Sequence, residues 1–503
     1  MATEENSSKI ARRTEPGIGD DEDRLSSLPD QVLSHILSFM ETKYAVGTAV
    51  LSRRWEDLWT RVSILDLDSR LIYESLNKEE EELEPASEAV LERRESEFCR
   101  FVDKVLGQHK NLNSLTRFRF HFSNGHRKVL SETRFKREFV FGPPMEEIDV
   151  MIRGKSKFGI PLCMRCIPES FYTLRNLKVA KLSGVMLGAI NQSALLPSVK
   201  ILRLYRVEMK DGESLDRLLC GCHVLETLHL KNCRLSDKNE GDRIEVSLPL
   251  LKNLKISHYA IWDGPMCPIV IEAPNLEDLY VEDFAELQLN GTNPLPCLHS
   301  AHVDVQVESY SAVIRLLSQI SNAKKLNLSG VTLSLLSAVD YVQLPVFPNL
   351  THLTIEIGEF QGSIWHSLLK SASKLQSLVF DKEKTSGVER MRWEDFETAS
   401  TPECLLSSLE EIKIKDLAIY PGVKKIIAYL LGAGAVLKKV NMHPNGTYLK
   451  LKGHKDFVPL LELPKRSSAC EVELIFFDDE DFSRDSDAES NTSDDNDGED
   501  VFL

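Results

Sequence analysis

The sequence predicts an α/β protein: a short helical module at the N-terminus, then a solenoid of stacked parallel strands, then a mixed α+β block. Three observations carry that reading. Apolar residues recur at helical spacing between Leu28 and Trp59. A cadence L-x-x-L-x-L returns roughly every 25 residues from Leu174 to Ile414. From about residue 402 the cadence lapses, and helix-like and strand-like patterns alternate.

In the helical module, Leu28-Pro29-Asp30 opens a helix, with proline where the first-turn N–H has no partner to lose. Val32, Leu33, Ile36, Leu37 and Met40 follow at helical spacing. After a break at Glu41–Lys43, a second short helix runs to Val50. A third holds Leu51, Trp55, Leu58 and Trp59 at i, i+4, i+7 and i+8. Segments this short cannot bury two tryptophans and about a dozen aliphatics among themselves. Part of that face is expected to meet another protein; the plainer alternative is an ordinary three-helix core.

This stretch closely resembles an F-box. The matching residues are Leu28-Pro29, the Leu33/Ile36/Leu37 helix, and Leu51-Ser52-Arg53-Arg54-Trp55 followed by Trp59. The resemblance implies docking onto a Skp-type adaptor and, through it, onto a cullin, a RING protein and the ubiquitin-conjugating machinery. Carried over position by position, it makes Leu28, Pro29, Leu33, Ile36, Leu37, Val50, Leu51 and Trp55 adaptor contacts or their direct supports. Gly47 and Ala49 depart from the usual form, in which a basic residue and a serine are common there. Gly47 is expected to loosen the second helix by ~1 kcal/mol.

The chain has 503 residues, enough for several domains or one long repeat array. No apolar run approaches the ~20 residues that span a bilayer, and the polar N-terminus lacks the core of a signal peptide. No membrane partner is expected, and the nucleus or cytoplasm is the expected location. The net charge of −16 is concentrated: residues 478–500 hold twelve acidic side chains and a single cation, Arg484. No basic stripe interleaved with aromatics appears, so no nucleic-acid partner is expected. Ten cysteines in such a chain are expected to be reduced. Cys163-Met-Arg-Cys166 has the spacing of a metal pair but lacks a matching second pair. No metal or other cofactor is expected.

Leu225-x-x-Leu228-x-Leu230-x-x-Cys233-x-Leu235 fits the leucine-rich repeat consensus at every defined position. In that register further copies align: Leu174/Leu177/Val179, Val199/Leu202/Leu204, Leu251/Leu254/Ile256 and Leu276/Leu279/Val281. Then come Leu298/Ala301/Val303, Ala323/Leu326/Leu328, Leu350/Leu353/Ile355, Leu375/Leu378/Phe380 and, after an insertion at about 382–404, Leu409/Ile412/Ile414. Looser copies lie upstream at Leu115/Phe118/Phe120 and Met145/Ile148/Val150, and Val62/Leu65/Leu67 reads as a first strand tied to the F-box. One unit cannot bury its apolar face alone, so neighbours stack into a curved parallel sheet. Cys233 occupies the consensus turn position, a structural role. Phe98, Phe101, Val102, Val105 and Leu106 form the apolar face of a helix packed across the early strands. The charge run at 78–84 reads as a solvated loop or helix end.

In the C-terminal block, Val423–Leu431 reads as an amphipathic helix ended by Gly432 and Gly434, and strands follow at Ala435–Met442 and Glu471–Phe477. The block resembles the FBD domain of plant F-box proteins, on Pro402-Glu403-Cys404-Leu405, Tyr429-Leu430-Leu431, Val436-Leu437-Lys438-Lys439-Val440 and Ser467-Ser468-Ala469-Cys470. The whole chain therefore resembles the plant F-box/FBD/leucine-rich-repeat family. The expected organisation is a disordered stretch 1–23, F-box 24–70, linker and amphipathic helix 71–111, repeats 112–401, FBD 402–477 and a disordered acidic tail 478–503. The FBD region is expected to cap the open end of the solenoid.

Residues between core positions of each repeat face the opposite side of the sheet, the surface repeat proteins use for binding. One column reads Lys178, Arg203, His229, Lys255, Tyr280, His302; a second includes Tyr205, Lys231, Glu282 and Asp304. The early part, Lys178, Arg203, Tyr205, His229, Lys231, Lys255, Tyr280 and His302, is the expected contact surface for an unknown protein substrate. The leading expectation is a substrate-recognition subunit of an SCF-type (Skp–cullin–F-box) ubiquitin ligase. It would do no bond chemistry, and no catalytic residue is expected: no nucleophile elbow, P-loop, dinucleotide fingerprint or HExxH motif occurs. The alternatives are a stand-alone or adaptor-binding scaffold that delivers no substrate, and a receptor gated by a small anion on Lys178, Arg203 and Lys255.

Overall fold

The computed structural model describes residues 25, 27–71, 88–110, 112–123, 141–153, 167–188, 190, 196–235, 244–257, 268–282, 287–290, 294–305, 310–337, 343–357, 362–382, 400–417, 421–446, 449 and 454–476. The acidic run at 78–84, the Cys163/Cys166 pair, residues 1–23 and the tail from 478 lie outside them. So does nearly all of the expected insertion, 383–399.

Among the described residues, three short helices come first: α1 (Asp30–Leu37), α2 (Thr42–Gly47) and α3 (Arg53–Leu58). Leu33, Leu37, Ala45, Trp55, Leu58, Trp59 and Val62 form their shared core. Arg54 ties the entry to α3: its guanidinium lies 2.8 Å from Asp30 and also donates to the Leu28 carbonyl. Gly47 ends α2, and a single 3-10 turn, Thr48–Val50, continues from it.

Among the described residues, fifteen parallel strands then form one sheet in chain order. The first five are β1 (Ile64–Asp68), β2 (Arg117–Phe122), β3 (Glu147–Ile152), β4 (Val179–Ser183) and β5 (Ile201–Tyr205). The next five are β6 (Thr227–Lys231), β7 (Asn253–Ser257), β8 (Asp278–Glu282), β9 (Ser300–Asp304) and β10 (Lys325–Leu328). The last five are β11 (His352–Ile357), β12 (Ser377–Lys382), β13 (Glu411–Leu417), β14 (Lys439–Pro444) and β15 (Glu471–Leu474). In most strands a buried residue alternates with a half-exposed one, as a sheet covered on one face requires. The covered face carries helices such as Gly212–Cys220 and Gly362–Ser371 and two small three-stranded sheets. A helix at Glu88–Gln108 (α4) buries Phe98, Val102 and Val105, and Phe98 stacks on Phe122 with centroids 5.4 Å apart.

Every repeat core read from the sequence sits in register except one. The first copy was expected at Leu174/Leu177/Val179; the pairing Ala180↔Leu202 and Leu182↔Leu204 makes it Leu177/Ala180/Leu182. The cause is that Leu174, Leu177 and Leu182 are all buried, so leucine spacing alone fits two registers three residues apart. In addition, the sheet does not stop where the cadence lapses. Ile412↔Val440 and Val440↔Val472 keep β13–β15 in the same parallel ladder, so the FBD-like region extends the solenoid strand by strand. The helix Pro421–Ala433 and the segment before β15 only lengthen the spacing.

The turns after successive strands share one backbone device. Gly184, Arg206 and Asn232 follow β4, β5 and β6, and each has a left-handed φ, of 67°, 51° and 52°. Each N–H donates across to the next strand: to the Tyr205, Lys231 and Ser257 carbonyls. At Gly184 a Cβ would run into the Ile152 carbonyl oxygen, so glycine is required there for two reasons. Cys233, the consensus turn residue, is buried, and its thiol points at the Leu204 carbonyl oxygen 3.4 Å away.

Candidate docking face and recognition surface

The F-box helices carry two apolar stripes. Leu33 and Leu37 of α1 point into the core; Val32, Ile36, Phe39 and Met40, at i, i+4, i+7 and i+8, point out of it. Phe39 is 77% exposed, Val50 87% and Leu51 64%, and Leu25 and Tyr44 are also exposed. Large exposed apolar side chains gathered on one module mark a protein-binding surface.

The residues expected to meet an adaptor therefore divide. Ile36, Val50, Leu51 and Pro29 are exposed, and Leu28 is half-buried beside them. Leu33, Leu37 and Trp55 are buried and shape the face from behind. Val32, Phe39, Met40 and Tyr44 had not been singled out as contacts. The signal for three of them was present, since Val32, Ile36, Phe39 and Met40 share helical spacing one residue out of phase with the core stripe.

The face is fixed to the repeats. The Asp66 N–H of β1 donates to Thr42 Oγ1 of α2 at 2.7 Å, and the Lys110 ammonium reaches Asp57 at 2.6 Å. His109, beyond α4, lies 3.0 Å from the Val62 carbonyl oxygen; burial pushes its pKa below the usual imidazole value.

On the uncovered face of the sheet, cross-strand register places Asp66, Arg119, Asp149, Lys181, Arg203, His229, Lys255, Tyr280 and His302 in one row. Lys178 does not belong to it. It precedes β4 and pairs with Glu146 at 2.9 Å; Lys181 takes its place in the row, a direct result of the three-residue register difference. Arg203, His229, Lys255, Tyr280 and His302 stand where they were expected, with Tyr205 and Lys231 in the next row.

The row has internal structure. Upstream, the Arg119 guanidinium pairs with Asp66 at 3.0 Å, and a His121 ring nitrogen lies 2.9 Å from the Asp149 carboxylate, so both carboxylates already have partners. From Lys181 to Lys255 there is no carboxylate at either row position. Lys255 Nζ sits 4.5 Å above the Tyr280 ring centroid, and Tyr280 stacks on His302 at 4.3 Å with an interplanar angle of 8°. His229 is pushed down to about 4, by burial first and then by the flanking Arg203 and Lys255. At neutral pH it adds an imidazole surface and no charge. Further along, Glu282, Asp304, Glu356 and Asp381 turn the second row acidic, and Asp381 is partly met by Lys415 at 3.0 Å.

Burial pushes the thiols of Cys99, Cys222 and Cys404 up to about 12, so none of these three is a thiolate at neutral pH. Among the described residues, no group of three or more His, Cys, Asp or Glu side chains is placed to hold a metal ion.

Three family models match separate segments of this chain. The F-box domain family matches residues 25–67, the family described as "FBD-associated F-box protein At5g56370, LRR repeats" matches 156–294, and the FBD family matches 397–442. The F-box/LRR-repeat protein At4g14103 of Arabidopsis thaliana is 30% identical over 378 residues, covering 71% of this chain and 91% of its own. The chain belongs to the F-box/FBD/LRR-repeat family. The F-box/FBD/LRR-repeat protein At4g26340 of the same plant is 27% identical and is covered over 100% of its length. The putative F-box/FBD/LRR-repeat protein At5g62970 is 28% identical and is covered over 92%. Among solved structures, the Leptospira interrogans LRR protein LIC12759 overlays 83% of this chain at 12% identity with a TM-score of 0.33.

Proposed function

We propose that this protein is the substrate-receptor subunit of an SCF-type ubiquitin ligase, acting in the nucleus or cytoplasm. The exposed apolar face of the F-box docks onto a Skp-type adaptor, which links the chain to a cullin and a RING protein. The uncovered sheet face, with the FBD extension, holds a target protein. The chain makes and breaks no bonds in this reading. It raises the effective concentration of a captured protein beside the ubiquitin donor.

The observation that supports it best is the outward apolar stripe formed by Val32 and Ile36 of α1 and by Phe39 and Met40 in the turn after it, with Val50 and Leu51 also exposed. A helical module needs only one apolar stripe for its own core; this second one is solvent-facing apolar surface awaiting a partner. Co-purification of a Skp-type adaptor with the wild type and with Val50→Asp/Leu51→Asp tests the proposal. Both side chains are exposed, so circular dichroism should report an unchanged fold while the adaptor is lost. Adaptor retained by the folded double variant, or never bound by the wild type, would remove the proposal.

A further inference from the structure

The basic stretch of the uncovered face spans β4 to β7, four adjacent strands and about 14 Å across. Lys181, Arg203 and Lys255 lie in one row and Lys231 in the next. Arg206 adds a fifth cation at the rim, and its backbone is informative. It holds a left-handed φ of 51° at a turn position filled by Gly184 and Asn232 in the neighbouring repeats, residues that take that conformation at less cost. An arginine kept there at a cost of about 1 kcal/mol points to a use for its side chain.

The stretch is bounded on both sides. Asp149 precedes it in the row, and Glu282 and Asp304 follow. An anionic segment thus meets a favourable field over these four strands and an unfavourable one toward Glu282 and Asp304. The chain itself carries such a segment: the twelve acidic residues between Asp478 and Asp500. Its reach is sufficient. β4 is eleven strand steps from β15, about 53 Å. Asp500 is 24 residues beyond Phe476, which allows up to about 80 Å of extended chain.

We propose that the acidic C-terminal segment 478–500 docks in cis on the Lys181–Arg203–Lys231–Lys255 surface and competes there with the captured target. The proposal rests on the reading of this face as the recognition surface and adds its regulation. The span of about 53 Å exceeds the roughly 27 Å root-mean-square length of a flexible 24-residue chain, so contact falls to the distal carboxylates of the segment, at an effective concentration below that of a matched linker. A target would then need to displace the tail, which sets a threshold for capture.

The test uses the full chain. Zero-length carbodiimide coupling joins a lysine amine only to a carboxylate in contact, and mass spectrometry locates the links. Links from Lys181, Lys231 or Lys255 to carboxylates of 478–500, unchanged on tenfold dilution, are expected. A full-length variant with every Asp→Asn and Glu→Gln over 478–500 serves as the second arm. A fluorescent peptide of residues 478–503 should bind it at least about tenfold tighter than it binds the wild type, because the tethered competitor is gone. Arg203→Glu/Lys255→Glu in that background should abolish the binding.

Equal affinity for wild type and neutralised tail, no binding to either, or links that vanish on dilution would overturn the proposal; the last would mean contact between two copies. Adaptor co-purification does not depend on the tail. Loss of target capture in Arg203→Glu/Lys255→Glu without any tail links would leave the proposed function standing and remove this inference alone.

Discussion

On α1, adjacent residues have opposite duties. Leu37 is buried in the core of the module, while Ile36 turns outward. Leu37→Ala should cost about 2–5 kcal/mol by opening a cavity in a small core. Ile36→Asp should leave the urea midpoint within about 0.5 kcal/mol of wild type, as exposed substitutions do, and abolish adaptor co-purification. A stability loss in Ile36→Asp as large as in Leu37→Ala would contradict the division. The sequence made the apolar excess of this module legible but did not sort its residues. Val32 and Leu33 are both aliphatic on one helix, and only the packing of α1 on α3 decides which of them is covered.

At the level of the strand and its turn, Gly184 is the tightest point. A side chain there meets both a left-handed backbone and the Ile152 carbonyl, so Gly184→Ala should destabilise by about 3 kcal/mol or more. Arg206→Asn, at the equivalent position one strand on, should be neutral or slightly stabilising, since asparagine accepts that conformation. Equal midpoints for Gly184→Ala and wild type in chemical denaturation would show that the turn is not constrained as described. The strands were the most legible part of the sequence, because burial on one face imposes a period of two that a repeat multiplies. Beside Leu174 the same signal became ambiguous: leucines at 174, 177 and 182 satisfy two registers, and cross-strand pairing chose the one that puts Lys181 on the surface. Arg203→Glu/Lys255→Glu reverses the charge of the row where sequence and structure agree. Pull-down of target by the folded variant should fall at least tenfold, and undiminished capture would remove the basic row from the recognition surface.

For the whole molecule, the buried histidines set a pH dependence whose sign is fixed. His229 and His366 are pushed down to about 4, both by burial first, then by Arg203 and Lys255 in one case and Lys370 in the other. His109 is also lowered, again by burial. In the unfolded chain each titrates near 6.5. The unfolded state therefore takes up protons first as pH falls, so the stability these residues contribute is complete above about 6.5 and declines toward 4. Carboxylates of ordinary pKa enter lower, near about 4. Asp216 and Asp278, raised by burial, even oppose the decline as the medium becomes acidic. From pH 7 to 5 the lowered histidines drive the decline, with Asp216 and Asp278 acting against them. Thermal unfolding should show a midpoint that falls steadily across that range, and His229→Gln/His366→Gln should flatten the slope. These two histidines lie in separate parts of the fold, one on the uncovered face and one on a covering helix beneath Pro421–Ala433, so their effects should add. A wild-type midpoint constant from pH 7 to 5, or a slope untouched by the double substitution, would mean that burial of these imidazoles does not control the acid sensitivity of the solenoid.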